Sequence, residues 1–298
     1  MSDWRYELAP LPDGRDMEVL LHGDAERVLV LFTGTPGGAV PDDEVAATVA
    51  AHGLRLVQPL RPGYGRSSPR PGRRIVDFAE DVEAVLDHLG IDAAVCMGGS
   101  GGGPHSLAMA ARLPQCRAAA ALVSPAPRDA ADLDYYEGMG LSNQEEWLLA
   151  DQGEDAVRPW IEKAVADLHL EDGGVSFIEQ FADSFSAEDR EAFASGSGPL
   201  MMASLAKATE RGIEGWVEDD IALTTPWGFD LSAITTPVTL WTGKQDQFVS
   251  YWHCAWLARA IPGADLHVFA NEGHMSLRRH HLPDMLDDLL AKAGWSHS

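Results

Sequence analysis

The chain has 298 residues, 45% of them hydrophobic, and its 22 Lys and Arg face 46 Asp and Glu, for a net charge of −24. That length and apolar share support one large domain, or two ordinary ones, around a buried core. So negative a balance repels phosphate backbones and anionic lipid surfaces, which excludes nucleic-acid and membrane-surface partners. The three cysteines, Cys96, Cys116 and Cys254, show no C-x-x-C spacing. Neither a disulfide framework nor a structural zinc site is expected, and a reducing cytoplasm fits. The N-terminus is charged from the start with no secretory h-region, and no apolar run approaches the roughly 20 residues of a membrane span. Lysine is rare beside arginine and alanine is frequent, the bias of GC-rich coding, so a bacterial source is expected.

In chain order, residues 5–9 and 18–22 read as an antiparallel lead-in joined by the turn residues Pro12, Asp13 and Gly14. Residues 28–32 (Val-Leu-Val-Leu-Phe) form a continuous apolar run, the pattern of a strand buried on both faces. A short helix over 41–51, a strand over 54–59 and a helix over 75–89, stopped at Gly90, follow. A strand over 93–97, a helix over 104–113 and a strand over 118–123 continue the alternation. This pattern predicts an α/β fold with a parallel sheet covered by helices.

From about residue 128 to 225 the alternation stops. The segment reads as helical and carries most of the negative charge. It also holds Trp147, Trp160, Phe177, Phe181, Phe185, Phe193 and Trp216. An acidic outer face and an aromatic inner face predict an amphipathic helical lid, with the charge itself a solvated surface. Alternation resumes with a strand over 237–242, a helix over 251–260, a strand over 265–269 and a closing helix over 282–293. Residues 1–127 and 226–298 are therefore expected to form one core, interrupted by a cap over 128–225.

The strand at 93–97 runs into Gly98-Gly99-Ser100-Gly101-Gly102 and then a helix. In G-x-S-x-G the turn strains the serine and lifts its hydroxyl above the sheet, and the glycines allow close chain approach. No Lys-Ser/Thr pair follows, so the loop is not a phosphate-binding P-loop. The next strand ends Leu122-Val123-Ser124-Pro125, without the carboxylate of a dinucleotide site. Ser100 is the candidate nucleophile. A nucleophilic serine needs a base, and the base an orienting carboxylate. His274 follows the strand at 265–269 in a loop, within reach of such a serine. His105, in the helix after Ser100, is its rival. His280 and His281 read as the start of a surface helix, His253 as helical, His267 as mid-strand and His297 as terminal. Asp246, in the loop after the strand at 237–242, is the candidate carboxylate, and Glu272 the alternative. The oxyanion needs two N–H donors. Gly101 and Thr35, the latter in the loop Thr33-Gly34-Thr35-Pro36-Gly37-Gly38, are the candidates.

With Gly34-Thr35-Pro36-Gly37, Arg61-Pro62-Gly63-Tyr64-Gly65-Arg66-Ser67, the elbow at Ser100, and Gly243-x-x-Asp246 paired with Gly273-His274, the chain resembles the α/β-hydrolase superfamily over nearly its whole length. Within it the chain looks closest to cap-bearing bacterial members of the proline-iminopeptidase-like group. The resemblance implies a mostly parallel eight-stranded sheet, an inserted helical lid and a triad of Ser100, Asp246 and His274. The family usually has His-Gly where Thr33-Gly34 stands, and Asp where the segment opens Leu60-Arg61. Dehalogenases and epoxide hydrolases of this fold carry Asp as nucleophile, and Ser100 excludes them.

The pocket is expected between core loops and lid. It should be apolar overall, lined by Thr35 with Tyr64, Met139, Trp147, Trp227, Phe229, Phe248 and Met275, with no basic cluster for a carboxylate, phosphate or pantetheine arm. Asn143-Gln144-Glu145-Glu146 reads as a solvated helix start, or as a receiver for a substrate amino group, as lid carboxylates are in the iminopeptidase relatives. The expected function is a cytoplasmic serine hydrolase of a small-to-medium carboxylic ester, lactone or thioester. It would act on a small molecule without cofactor or metal, as a monomer or homodimer. The alternatives are a proline-iminopeptidase-like aminopeptidase or amidase, and an acyl-transfer or cyclisation enzyme, or a binding relative, on the same scaffold.

Overall fold

The computed structural model describes residues 3–295; His297 lies outside the described residues. The chain opens with β1 (Arg5–Pro10), β2 (Asp16–His22) and β3 (Arg27–Phe32), then α1 (Asp43–Ala51), β4 (Leu54–Pro59), α2 (Asp77–His88), β5 (Ala94–Gly99), α3 (Gly102–Arg112) and β6 (Cys116–Leu122). Helices alone follow: α4 (Leu141–Ala150), α5 (Glu154–Asp167), α6 (Val175–Gln180), α7 (Ala187–Ala192), α8 (Gly198–Ala208) and α9 (Glu214–Thr224). β7 (Val238–Gly243), α10 (Tyr251–Ala260), β8 (Asp265–Phe269) and α11 (Ser276–Lys292) complete it. The strands form one eight-stranded sheet in the order β1-β2-β4-β3-β5-β6-β7-β8. β2 pairs antiparallel with both of its neighbours, and the remaining pairs are parallel. Among the described residues no helix is long and apolar enough to cross a membrane.

Continuous apolar strands arise because both faces of the sheet are covered. In β3, Val28, Val30 and Phe32 join a core with Phe78, Val82 and Leu107 of α2 and α3. Leu29 and Leu31 point the other way, into a core with Val45 and Val49 of α1 and Leu286 and Leu289 of α11. A third cluster gathers the aromatic residues of the helical segment: Phe177, Phe181, Phe185, Phe193 and Trp216, with Tyr64 and Phe248 from the loops below. The acidic surface of that segment thus covers a core of its own, and burial of its rings is what holds the short helices in place.

One boundary departs from expectation. The closing helix begins at Ser276 rather than near residue 282, so His280 and His281 lie in its second turn and Pro283 sits inside it. Proline is favoured at the first position of a helix, where its missing N–H would have no partner in any case. Here the N–H groups of His274, Met275 and Ser276, at the helix start, find an acceptor in Asp189, 85 to 87 residues away.

The strand-to-helix turn between β5 and α3 is sterically tight. Ser100 has φ +54°, a left-handed conformation costly for a residue with a side chain. A Cβ on Gly98 would lie 2.1 Å from the Gly102 carbonyl oxygen, and one on Gly102 2.6 Å from that of Phe32. A Cβ on Gly99 would meet nothing within 4 Å. Gly98→Ala should therefore lower the unfolding free energy by about 1–3 kcal/mol or more, and Gly99→Ala by less than about 0.5 kcal/mol. Urea denaturation of the two variants checks this; equal costs would overturn the steric account of the turn.

Candidate active site

Ser100 stands at the C-terminal edge of the sheet, and two loops close on it. Past β7, Asp246 is buried, with Oδ1 accepting from the N–H groups of Phe248 (2.9 Å) and Val249 (2.8 Å). Its Oδ2 lies 2.8 Å from Nδ1 of His274, which follows β8. Burial opposes charge on both partners: it raises the Asp246 carboxyl and works against protonation of His274. Attraction by Asp246, with Asp189 adding to it, nonetheless carries His274 above the ordinary imidazole value. A carboxylate at Nδ1 favours the tautomer that carries its proton there, with Nε2 unprotonated. No hydrogen bond joins Ser100 Oγ to His274 in the structure. Such contacts are often long or misaligned before the Michaelis complex and tighten within it.

On the other side, the Thr33–Gly38 loop packs against the elbow. Gly101 lies so near Thr35 that a Cβ there would sit 3.2 Å from the Thr35 nitrogen and closer still to its side chain. The two candidate oxyanion donors are thereby brought together above Ser100.

The other histidines and Glu272 do different things. His105 is fully buried edge-on to Phe78, with both ring nitrogens unpartnered, and burial holds it well below the usual imidazole value. His253 bonds the Tyr135 carbonyl and the Ala126 N–H. Glu272 pairs with His280 and His281. Asp246 is thus the carboxylate that reaches His274.

Two spaces meet at Ser100. A cleft of about 450 Å³ is lined by Ser100, His274 and Met275 together with Val40, Phe177 and Met201. A cavity of about 30 Å³ lies against Ser100 and Gly101, bounded by Glu146, Trp147, Asp220 and Leu223. Thr35 and Phe248 border both. Of the residues expected in the pocket, Thr35, Trp147, Phe248 and Met275 are therefore there. Tyr64 is not: it is fully buried with its hydroxyl donating to Asp219 at 2.8 Å. Met139 is buried away from both spaces, and Trp227 and Phe229 stack on each other against the sheet's core. Large apolar residues near a lid have two apolar interiors to join, and sequence does not say which. The cleft is also less free of cations than expected, since Arg278 and Arg279 stand on its wall. Arg279 is tied to Glu44 (3.4 Å) and to the Ser195 carbonyl (3.1 Å). Among the described residues no three His, Cys, Asp or Glu side chains are grouped to hold a metal ion.

A family model for the alpha/beta hydrolase fold matches residues 27–278. The chain belongs to that family. It is 24% identical over 268 residues to an uncharacterized hydrolase, YcgS, of Bacillus subtilis, covering 88% of this chain and 89% of that protein. The fold is similar to that of an esterase from Exiguobacterium antarcticum (TM-score 0.67, 18% identity, 99% of this chain and 100% of the other). It is also similar to an enol-lactonase from Burkholderia xenovorans (TM-score 0.64, 17% identity, 96% and 100%).

Where the family's usual His-Gly is replaced by Thr33-Gly34, the loop has other support. Arg61 donates to the carbonyls of Thr33 (2.6 Å) and Gly34 (2.7 Å). It is itself held by Asp219 of α9 at 2.6 Å, which also takes Thr35 Oγ1 (2.8 Å), Tyr64 and Arg73. Arg61 and Asp219 are about fully buried, and the two arginines hold the Asp219 carboxyl far below the usual range against the cost of burial. Nothing in the sequence marks Asp219 among the many acids of its segment.

A second unmarked acid, Asp189 of α7, lies beneath the His274 loop. It is completely buried. Its carboxylate accepts from the N–H groups of His274 (2.9 Å), Met275 (2.7 Å) and Ser276 (3.1 Å). It is the N-terminal cap of α11, supplied from 85 residues away. Gly273 has to be glycine for this, because a Cβ would fall 2.3 Å from the carboxylate. The charge also favours protonated His274. A neutral amide at position 189 removes that attraction, so the imidazolium loses its proton at lower pH. Asp189→Asn should shift the acid limb of kcat/KM downward and lower the unfolding free energy by about 1–3 kcal/mol for the poorly satisfied donors. A pH–rate profile with an unmoved limb would show that Asp189 is structural only.

Proposed function

We propose that the chain is a serine hydrolase that cleaves a small-to-medium carboxylic ester, lactone or thioester through an acyl-enzyme on Ser100. The observation that supports it most is the strained Ser100 at the mouth of a cleft that it shares with His274, whose Nδ1 is paired to buried Asp246. In this reading Ser100 Oγ attacks the carbonyl carbon while its proton passes to His274 Nε2. The Thr35 and Gly101 N–H groups stabilise the oxyanion, and Asp246 stabilises the imidazolium. His274 then protonates the leaving oxygen or sulfur as its bond to carbon breaks. A water, deprotonated by His274, releases the acid and restores Ser100. The helices of residues 128–225 act as the cap that excludes bulk water from this step. The esterase and enol-lactonase of similar fold are in keeping with this chemistry.

A second reading, an aminopeptidase or amidase, draws on one observation. Glu146 and Asp220 face the small cavity beside Ser100 with no arginine or lysine bonded to either. Glu146 accepts from Trp216 Nε1 at 2.7 Å, and Asp220 Oδ2 has no partner. Burial pushes Glu146 up to about 7 and Asp220, next to Glu146 and Asp219, well above the usual range. A pair that binds a proton this readily would also receive an ammonium group on the acyl part of a substrate.

Fluorophosphonate treatment followed by peptide mass spectrometry should place the adduct on Ser100. Ser100→Ala and Asp246→Asn should lower kcat on an aryl ester by about 10⁴ or more, and Glu272→Gln by less than about tenfold. An adduct elsewhere, or a Glu272→Gln variant more impaired than Asp246→Asn, would overturn the assignment. Faster turnover of a prolyl anilide than of an aryl ester would favour the second reading.

A further inference from the structure

Under the serine-hydrolase reading, Ser100 divides its substrate in two, and the structure gives each part a different space. The side taken by the leaving group is set by the proton donor. His274 has to reach the departing atom, so that atom lies on the His274 side of the attacked carbon. The acyl substituent lies on the other side, past the oxyanion donors. His274 lines the cleft of about 450 Å³ and does not line the cavity of about 30 Å³. Gly101, beside the oxyanion, lines the cavity and not the cleft. The cleft has the size of an ordinary small-molecule site. The cavity holds about two water-sized groups, at roughly 10–15 Å³ each.

We infer that the preferred substrates are esters of short acids with bulky, largely apolar alcohols. A two- or three-carbon acyl group fills the cavity against Trp147 and Leu223. The alcohol extends along the cleft, which Leu200 and Met201 of α8 and Phe177 of α6 line. Glu146 and Asp220 also line the cavity. A longer acyl chain would press against these carboxyls and the Trp147 ring, where a methylene has nowhere apolar to go. In the reaction, the Ser100 Oγ–carbon bond forms as the carbon–alkoxide bond breaks. The proton taken from Ser100 leaves on the alcohol, which exits along the cleft while the short acid remains on the enzyme. Water then releases it.

Two ester series test this. With 4-nitrophenol as the leaving group, kcat/KM should fall by about tenfold or more from acetyl to hexanoyl. With acetyl held constant, it should rise by about tenfold or more from ethyl to octyl alcohol. Trp147→Ala, which lengthens the cavity, should raise the hexanoyl-to-acetyl ratio by about tenfold. Met201→Trp, which narrows the cleft, should lower the octyl-to-ethyl ratio by a similar factor. Rising rates with acyl length and a flat alcohol series, with fluorophosphonate on Ser100, would overturn the division while leaving the serine-hydrolase reading intact. No turnover of any ester and no label on Ser100 would overturn both. If Met201→Trp does not fold, the two wild-type series and Trp147→Ala still decide.

Discussion

The Asp219 carboxylate, buried among Arg61, Arg73, Tyr64 and Thr35, is the interaction on which the site most depends. Two guanidinium groups buried without it would each face a desolvation cost of several kcal/mol. With it, Arg61 becomes a rigid bracket whose remaining donors reach the Thr33 and Gly34 carbonyls. A planar fork with its donors in set directions suits this better than a lysine would. The loop that presents the Thr35 N–H is thus positioned by charge from below, where its relatives usually place a histidine. Asp189 does the equivalent for the other loop, with three backbone donors in place of guanidiniums. Both aspartates come from the helical segment between β6 and β7. That segment is part of the framework holding the reactive loops, and not merely a cover over them.

The acidic residues of the segment therefore fall into three physical classes that composition cannot separate. Most are solvated. Asp189 and Asp219 are buried anions, satisfied by donors or by arginines. Glu146 and Asp220 have no arginine or lysine beside them, and Glu146 has the Trp216 indole as a donor; burial raises both toward the neutral form, with the charges of Glu146 and Asp219 adding to it at Asp220. Asp219 and Asp220 are adjacent, yet about 100° apart around α9: one meets the arginines, the other lines the cavity beside Ser100.

Local signals in the sequence carried the sheet and the elbow, because their causes are local. An apolar run such as residues 28–32 is readable since both faces of a central strand are covered. G-x-S-x-G is readable since Gly98 answers contacts with Gly102 and Gly103 a few residues on, although Gly102 answers the close approach of Phe32 and Thr33 from β3 and the loop after it. Asp246 was legible as a loop residue just past a buried strand and His274 as one just past the edge strand β8, and the structure puts them 2.8 Å apart. Tyr64, Trp227 and Phe229 were misplaced because their side chains join apolar clusters away from Ser100, and Met139 because it is buried outside both spaces, a matter of tertiary packing alone. Asp189, Asp219 and the true start of α11 were illegible for one reason: each depends on a contact spanning about 85 residues or more. An acid in an acidic amphipathic segment has the same sequence signature whether it meets water or a buried helix end.

This division of labour has a consequence for how the site can vary. α7 and α9 supply the carboxylates that position the reactive loops, and a change there disturbs buried charge. α4 and α8 supply Trp147, Leu200 and Met201 to the spaces around Ser100, where a change alters only shape. Apolar swaps of similar volume cost little in a folded protein, whereas removal of one partner from a buried ion pair is strongly destabilising. Substrate preference can therefore drift through α4 and α8 while the loops stay in register. The exception is α9, which bears Asp219 on one side and Asp220 and Leu223 on the other. It is the element where the lining of the small cavity beside Ser100 and the support of the Thr33–Gly38 loop are mechanically joined.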